Sequence, residues 1–219
     1  MNGRVRCIGG TAALVGFLLA AWVFTGGGAR ALAGEPREEL KSSISRVLEV
    51  LRDPALKGKE HREARRKKLR SIIHVRFDFA EMGKRSLARQ WRKRSPEEKK
   101  EFVDLFSHLL EDSYVSKIEA YSNEKIVYPT ERKEEHYAEV NSKIVPKSGR
   151  DIAIDYRLHK TPEGWRVYDV IIEGVSLVAN YRRQFKRLIR RSSYEELLAR
   201  MKTKRGGFEV NTDGKGKKL

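Results

Sequence analysis

Cysteine is almost absent from this 219-residue chain: Cys7 is the only one, and it lies within the first ten residues. No disulfide and no thiol chemistry is therefore available to the rest of the protein, and a hydrophobic core must hold it. Motifs of common catalysis are missing too. There is no Gly-x-Ser-x-Gly, no Walker loop and no dinucleotide fingerprint. The five histidines, His61, His74, His108, His136 and His159, fall at no spacing that gathers metal ligands. A structural or surface role is the simpler reading for each. Charged residues make up 35% and hydrophobic residues 39%, which excludes a polytopic membrane protein. The length suits one domain with a real core.

The N-terminal 33 residues read as a targeting segment. Arg4 and Arg6 precede an apolar run from Ile8 to Phe24, Gly26-Gly27-Gly28 breaks it, and Ala31-Leu32-Ala33 supplies a small-x-small cleavage pattern. The alternative is an uncleaved anchor, but the run is short for a spanning helix. Cleavage after Ala33 and export to the periplasm are the expectation. The formal charge is +17; residues 1–33 hold three arginines and no acid, so +14 remains after cleavage. That charge calls for anionic partners, namely phospholipid headgroups, an acidic protein face or nucleic acid, and export makes nucleic acid the least fitting.

Helical spacing dominates the first half. Leu40, Ile44, Val47, Leu48 and Leu51 share a face between Glu35 and Asp53. A basic helix follows, with Arg62, Arg65, Arg66, Lys67, Lys68 and Arg70 read as a solvated face. Phe77 to Trp91 reads as short helices. Ser95-Pro96-Glu97-Glu98 is a capping box that starts a helix through Phe102, Phe106 and Leu110. A further helical segment holds Tyr114, Ile118 and Tyr121. The period then becomes two. Strands are expected over Lys125–Arg132 (an edge, given Pro129), His136–Val145, Ile152–Leu158 and Trp165–Glu173, joined by short turns as an antiparallel meander. Ser176–Arg191 and Tyr194–Met201 are helices, and a Gly/Lys-rich tail follows.

Asp169 and Glu173, four apart on a strand and near Asp155, could form an acid–base pair. No nucleophile or electrophilic group accompanies them. The simpler reading is that Asp169 pairs with a cation and Glu173 fixes the turn at Gly174, so no catalytic residue is assigned and the chain is not expected to be an enzyme. On the helix beyond, Arg182, Arg183, Lys186, Arg187, Arg190 and Arg191 recur along one side, opposite Val178, Tyr181 and Phe185. That stripe is either a solvated face or a docking surface. Composition alone does not separate a filled core from a hollow one.

Several segments closely resemble one family. They are Phe77-Asp78-Phe79-Ala80-Glu81-Met82 with Leu87 and Trp91, then Ser95-Pro96-Glu97 with Phe102 and Phe106. The most specific are Trp165-x-Val167-Tyr168-Asp169-Val170, Glu173-Gly174-Val175-Ser176-Leu177-Val178 and Asn180-Tyr181-Arg182-x-Gln184-Phe185. The chain resembles the periplasmic phospholipid carriers called MlaC or toluene-tolerance proteins, from about Leu40 to Met201. Ala88 departs from the family pattern, which carries glycine there; slightly looser helix packing is expected. The resemblance implies an α+β fold, a twisted antiparallel sheet (cystatin/NTF2-like) wrapped by several helices, with an apolar cavity between sheet and helices.

It also implies a carrier of glycerophospholipid, with no cofactor beyond that cargo, working between an outer-membrane lipoprotein–porin complex and an inner-membrane MCE-domain ABC transporter. A monomer is expected. Together with the apolar periodicity, the resemblance nominates Phe102, Phe106, Leu109, Tyr114, Val140, Ile154, Tyr156, Tyr168, Val170, Val178, Tyr181 and Phe185 as lipid-lining residues. The alternatives are an electrostatic adaptor with a filled core, or an NTF2-like enzyme using Asp169 and Glu173.

Overall fold

The structure is a computed structural model that describes residues 35–121 and 123–203. The readings of residues 1–33 as a signal segment and of the stretch beyond Thr203 as a tail fall outside the described residues.

Helix α1 (Pro36–Arg52) starts on a proline, with Glu38 and Glu39 in its first turn, where carboxylates meet the positive end of the helix dipole. Helix α2 (Arg62–Arg76) buries Leu69 and Ile72. Asp78 then does two jobs. Its backbone N–H donates to the Val167 carbonyl at 2.8 Å, and its side chain accepts the Glu81 N–H at 2.8 Å, capping α3 (Phe79–Leu87). The first tethers the loop to the sheet; the second starts the helix.

Helix α3 ends at Ala88, which takes φ +50° and ψ −119°, a conformation that favours glycine. The departure at Ala88 thus places a side chain on strained backbone. A 3-10 turn (Ala88–Lys93) leads to α4 (Pro96–Glu119), whose capping box is formed in full by Ser95 and Glu98. The two helical segments expected here are one 24-residue helix, and Tyr121 lies beyond its end.

The sheet has six antiparallel strands: β1 (Lys125–Val127), β2 (Glu131–Lys133), β3 (Tyr137–Val145), β4 (Ile152–Thr161), β5 (Gly164–Ile172) and β6 (Val175–Ser176). The order is β1-β3-β4-β5-β6, with β2 also on β3. The single strand expected over 125–132 is split. Pro129 has no N–H to give a ladder, and the chain breaks around it into β1 and β2.

Between β4 and β5 the register places Arg157 opposite Asp169 and Leu158 opposite Val167, so Tyr168 is an extra, bulged residue. Trp165 and Val167 before the bulge, and Val170 and Ile172 after it, all face inward. Strict alternation put Tyr168 inward with Val170; the bulge sends it to the outer face. There its ring meets Tyr137 at 6.0 Å and His159 at 5.9 Å, with the Arg85 guanidinium 4.1 Å from its centre.

Glu173 and Gly174 both take positive φ and form the two-residue turn into β6. Helices α5 (Leu177–Arg191) and α6 (Tyr194–Lys202) complete the fold, capped by Ser176 and Ser193. Gly164 is required as glycine. At φ +117°, a Cβ there would meet the Glu39 carboxylate at 2.8 Å. That carboxylate is a hub that accepts the Trp165 N–H at 3.1 Å and an Arg76 N–H at 2.6 Å, so α1, α2 and β5 meet on one half-buried charge.

Buried apolar residues form two clusters. One lies among the helices: Met82, Leu87, Phe102, Phe106, Leu110, Val178, Tyr181, Phe185 and the inner face of α6. The other lies on the inner face of the sheet: Leu40, Ala138, Val140, Leu158, Trp165, Val167, Val170 and Leu177.

Candidate functional site

The inner face of the sheet is closed at one end and open at the other. On β4, Leu158 is fully buried, Tyr156 and Ile154 are half-buried, and Ile152 is 40% exposed. On β3, Ala138, Val140 and Ser142 are buried and Ile144 is half-buried. On β5, Trp165, Val167 and Val170 are buried and Ile172 is half-buried. The register makes these one row after another, pairing Leu158 with Ala138, Tyr156 with Val140 and Val170, and Ile154 with Ser142 and Ile172. Here apolar side chains run from a sealed floor towards an uncovered rim.

Helices and loops extend that rim. Ile44 of α1, Tyr128 beyond β1 and Tyr114 of α4 are partly buried against the sheet cluster, and Tyr114 also touches the helical cluster. The phenols here sit in poorly solvated surroundings. Burial pushes Tyr114 and Tyr156 well above the usual tyrosine range, and it pushes Tyr128 up to about 12. The Tyr114 hydroxyl is buried with no hydrogen-bond partner among the described residues. The arrangement offers apolar surface with a few neutral hydroxyls.

The structure does not bring the twelve nominated lining residues together. Val140, Ile154, Tyr156 and Val170 share the inner sheet face, with Tyr114 beside them. Phe102, Phe106, Val178, Tyr181 and Phe185, with Leu109 against them, lie in the helical cluster. There the rings fill the space. Phe106 meets Tyr181 edge-on at 5.4 Å and Phe185 at 5.8 Å, and Phe102 meets Phe185 at 5.8 Å. Tyr168 is on the outer face. Ile44, Tyr128 and Ile172 join the open face without having been nominated. Ile172 was legible in the period-two pattern, two residues beyond Val170; Tyr128, beside the strand break at Pro129, had no readable face.

The two basic runs have different fates. On α2, Arg65 and Arg66 both bind Glu119, at 2.8 and 2.9 Å, and Arg70 binds Glu111. Half of the run read as a solvated face, Arg65, Arg66 and Arg70, is thus ion-paired to the second half of α4, while Arg62 and Lys67 are exposed. On α5, Arg182, Arg183, Lys186, Arg187, Arg190 and Arg191 are all exposed, and none forms an ion pair with a described residue. Val178, Tyr181 and Phe185 on the other side are buried.

The carboxylates Asp169 and Glu173 are occupied by the fold. Asp169, 5% exposed, accepts the Ser176 hydroxyl at 2.6 Å and the Val178 N–H at 3.1 Å, with Arg157 3.8 Å away. Glu173 accepts the Ala153 N–H at 2.7 Å and pairs with Arg150 at 2.7 Å. No cluster of metal-ligating residues occurs among the described residues. An open groove of about 530 Å³ lies between His74, Phe79 and the first half of α4, lined by Glu97, Lys100, Glu101 and Asp104; its charged rim sets it apart from the sheet face.

Comparison with known proteins agrees with this geometry. A phospholipid-binding protein from Ralstonia solanacearum, solved in complex with a phospholipid, superposes with a TM-score of 0.72 at 26% identity, covering 80% of this chain and 99% of that one. The intermembrane phospholipid transport system binding protein MlaC of Haemophilus influenzae is 23% identical over 144 residues, which is 61% of this chain and 66% of the relative's length. The sequence model of the family described as MlaC protein matches residues 41–203, and the chain belongs to that family.

Proposed function

We propose that this protein is a soluble periplasmic carrier that binds a glycerophospholipid through its acyl chains and shuttles it between membrane complexes. The acyl chains lie on the open inner face of the sheet, against Ile154, Tyr156, Ile172, Tyr114, Tyr128 and Ile44, and the headgroup stays near solvent. The partners are an outer-membrane lipoprotein–porin complex and an inner-membrane MCE-domain ABC transporter, and the outcome is a maintained lipid asymmetry of the outer membrane. The observation that carries this reading is the apolar sheet face left half-buried, in a fold shared with a protein solved with a phospholipid.

Each acyl CH₂ removed from water contributes about 0.8 kcal/mol. Two long chains therefore cannot cross an aqueous space exposed, whereas an apolar face removes that barrier with no reaction. Few polar groups face the site, so headgroup tolerance should be broad. An enzyme using Asp169 and Glu173 is disfavoured because their oxygens are engaged in capping α5 and holding the turn. Native mass spectrometry of the purified protein provides the test. Adducts of phospholipid mass are expected, and a protein that stays lipid-free when incubated with phospholipid sinks the proposal.

A further inference from the structure

We infer that the exposed side of α5 is a docking surface for a membrane bearing anionic phospholipid headgroups. Six of the fifteen residues of α5 are exposed, and all six are cations: Arg182, Arg183, Lys186, Arg187, Arg190 and Arg191. The helix contains no acid. Among the described residues, Arg183 of the stripe donates to Asn180 at 3.3 Å, within the helix. Of the next acids in the chain, Glu196 pairs with Arg200 in α6. Solubility alone does not demand a face of cations only, because on the other basic helix, α2, the same chain pairs Arg65 and Arg66 with Glu119 and Arg70 with Glu111. The negative end of the helix dipole accounts for Arg190 and Arg191 and for no others.

The composition of the face selects the partner. Stable protein interfaces are anchored by apolar or aromatic residues at their centre. This face exposes none, since Leu188 and Ile189 are turned against the helical cluster. What remains is a straight array of charge, about 14 Å from Arg182 to Arg191 at 1.5 Å per residue. Such an array fits a laterally continuous negative field and gives fast, salt-sensitive, reversible attachment. The choice of a bilayer over another polyanion rests on the carrier reading, since the cargo must enter and leave a membrane.

The test is co-sedimentation of the protein with phosphatidylcholine vesicles, with or without phosphatidylglycerol, at low and high salt. Three proteins are compared: the natural chain, R183E/R187E/R190E, and K57E/K59E/K67E, which changes the net charge equally on exposed lysines elsewhere. The natural chain and the lysine variant should bind phosphatidylglycerol vesicles at low salt and release at high salt. At about fivefold per surface cation, the stripe variant should lose binding by at least 100-fold. R183Q/R187Q/R190Q should lose less, and it serves if the reversal impairs folding.

Failure of the natural chain to bind, equal loss in both triple variants, or full binding by the stripe variants would overturn the inference. Association only with acidic proteins would overturn it as well. Native mass spectrometry on the same samples keeps the two readings apart. Vesicle binding by a protein without lipid adducts would defeat the carrier and leave the surface standing.

Discussion

The backbone N–H of Val178 donates to the carboxylate of Asp169 at 3.1 Å, so a strand residue holds the first turn of the helix that follows it. The same carboxylate accepts the Ser176 hydroxyl, and that hydroxyl accepts the Ala179 N–H at 3.0 Å. The strand, turn and helix of the family signature are locked by one buried charge placed at the positive end of α5.

Asp169→Asn tests this role. The amide turns one acceptor into a donor facing a donor, and it removes the charge from the helix end. A loss of about 2 kcal/mol is expected, seen as a melting temperature lowered by about 4–8 °C. An unchanged melting temperature would return Asp169 to the list of residues free for chemistry.

Ala88 gives the opposite sign. At φ +50° and ψ −119° it occupies backbone space that only glycine enters without strain. Ala88→Gly should stabilise the protein by about 1 kcal/mol, the strain relieved exceeding the added chain entropy. Urea denaturation should show a higher midpoint with an unchanged slope.

On the carrier reading, the burial gradient on β4 should separate folding from cargo. Leu158 is fully buried, and Leu158→Ala should cost about 2–5 kcal/mol in stability. Ile154, half-buried on the same face, should behave differently. Ile154→Trp should fill the open end and reduce lipid occupancy in native mass spectra, with little change in melting temperature. Full occupancy in Ile154→Trp would move the cargo to another part of the protein.

Glu119 predicts an acid response. Burial alone pushes its carboxyl up, but hydrogen bonds from Arg66 and Arg65, together with their charges, outweigh this and hold it below the ordinary value. A depressed folded value means the pair stabilises the fold fully above the unfolded value of about 4.3 and progressively less as pH falls below it. Glu119→Gln should flatten the stability profile below that pH and, the pair being near the surface, cost no more than about 1 kcal/mol at neutral pH. A profile that falls as steeply in the variant would assign the acid response elsewhere.

Element types were legible in the sequence because periodicity is strong: the capping box at Ser95, the meander from β3 to β5 and the two-faced α5 all appear where the residues put them. Facing was less legible. One bulge at Tyr168 reverses the phase of β5, and nothing in the alternation of Trp165, Val167, Tyr168 and Val170 marks where the extra residue falls. The separation of Phe102, Phe106 and Phe185 from the sheet face depends on how α4, α5 and α6 pack on one another, which helical spacing does not encode. The difference between a paired and an unpaired arginine run depends on Glu111 and Glu119, more than 40 residues from the arginines of α2.

Glu119 and Glu111 join α4 to α2 through long arginine side chains, and beyond Leu110 the helix buries only Val115. Interlocked methyl groups fix a distance, whereas a guanidinium on a flexible stem acts as a spring. Tyr114 adds apolar contacts to both clusters, but the far half of the wall that carries it should yield more readily than an interlocked one. On the carrier reading, its spacing from the sheet should stretch or relax with what lies between, so one face should accept acyl chains of unequal length and saturation with nearly equal ease.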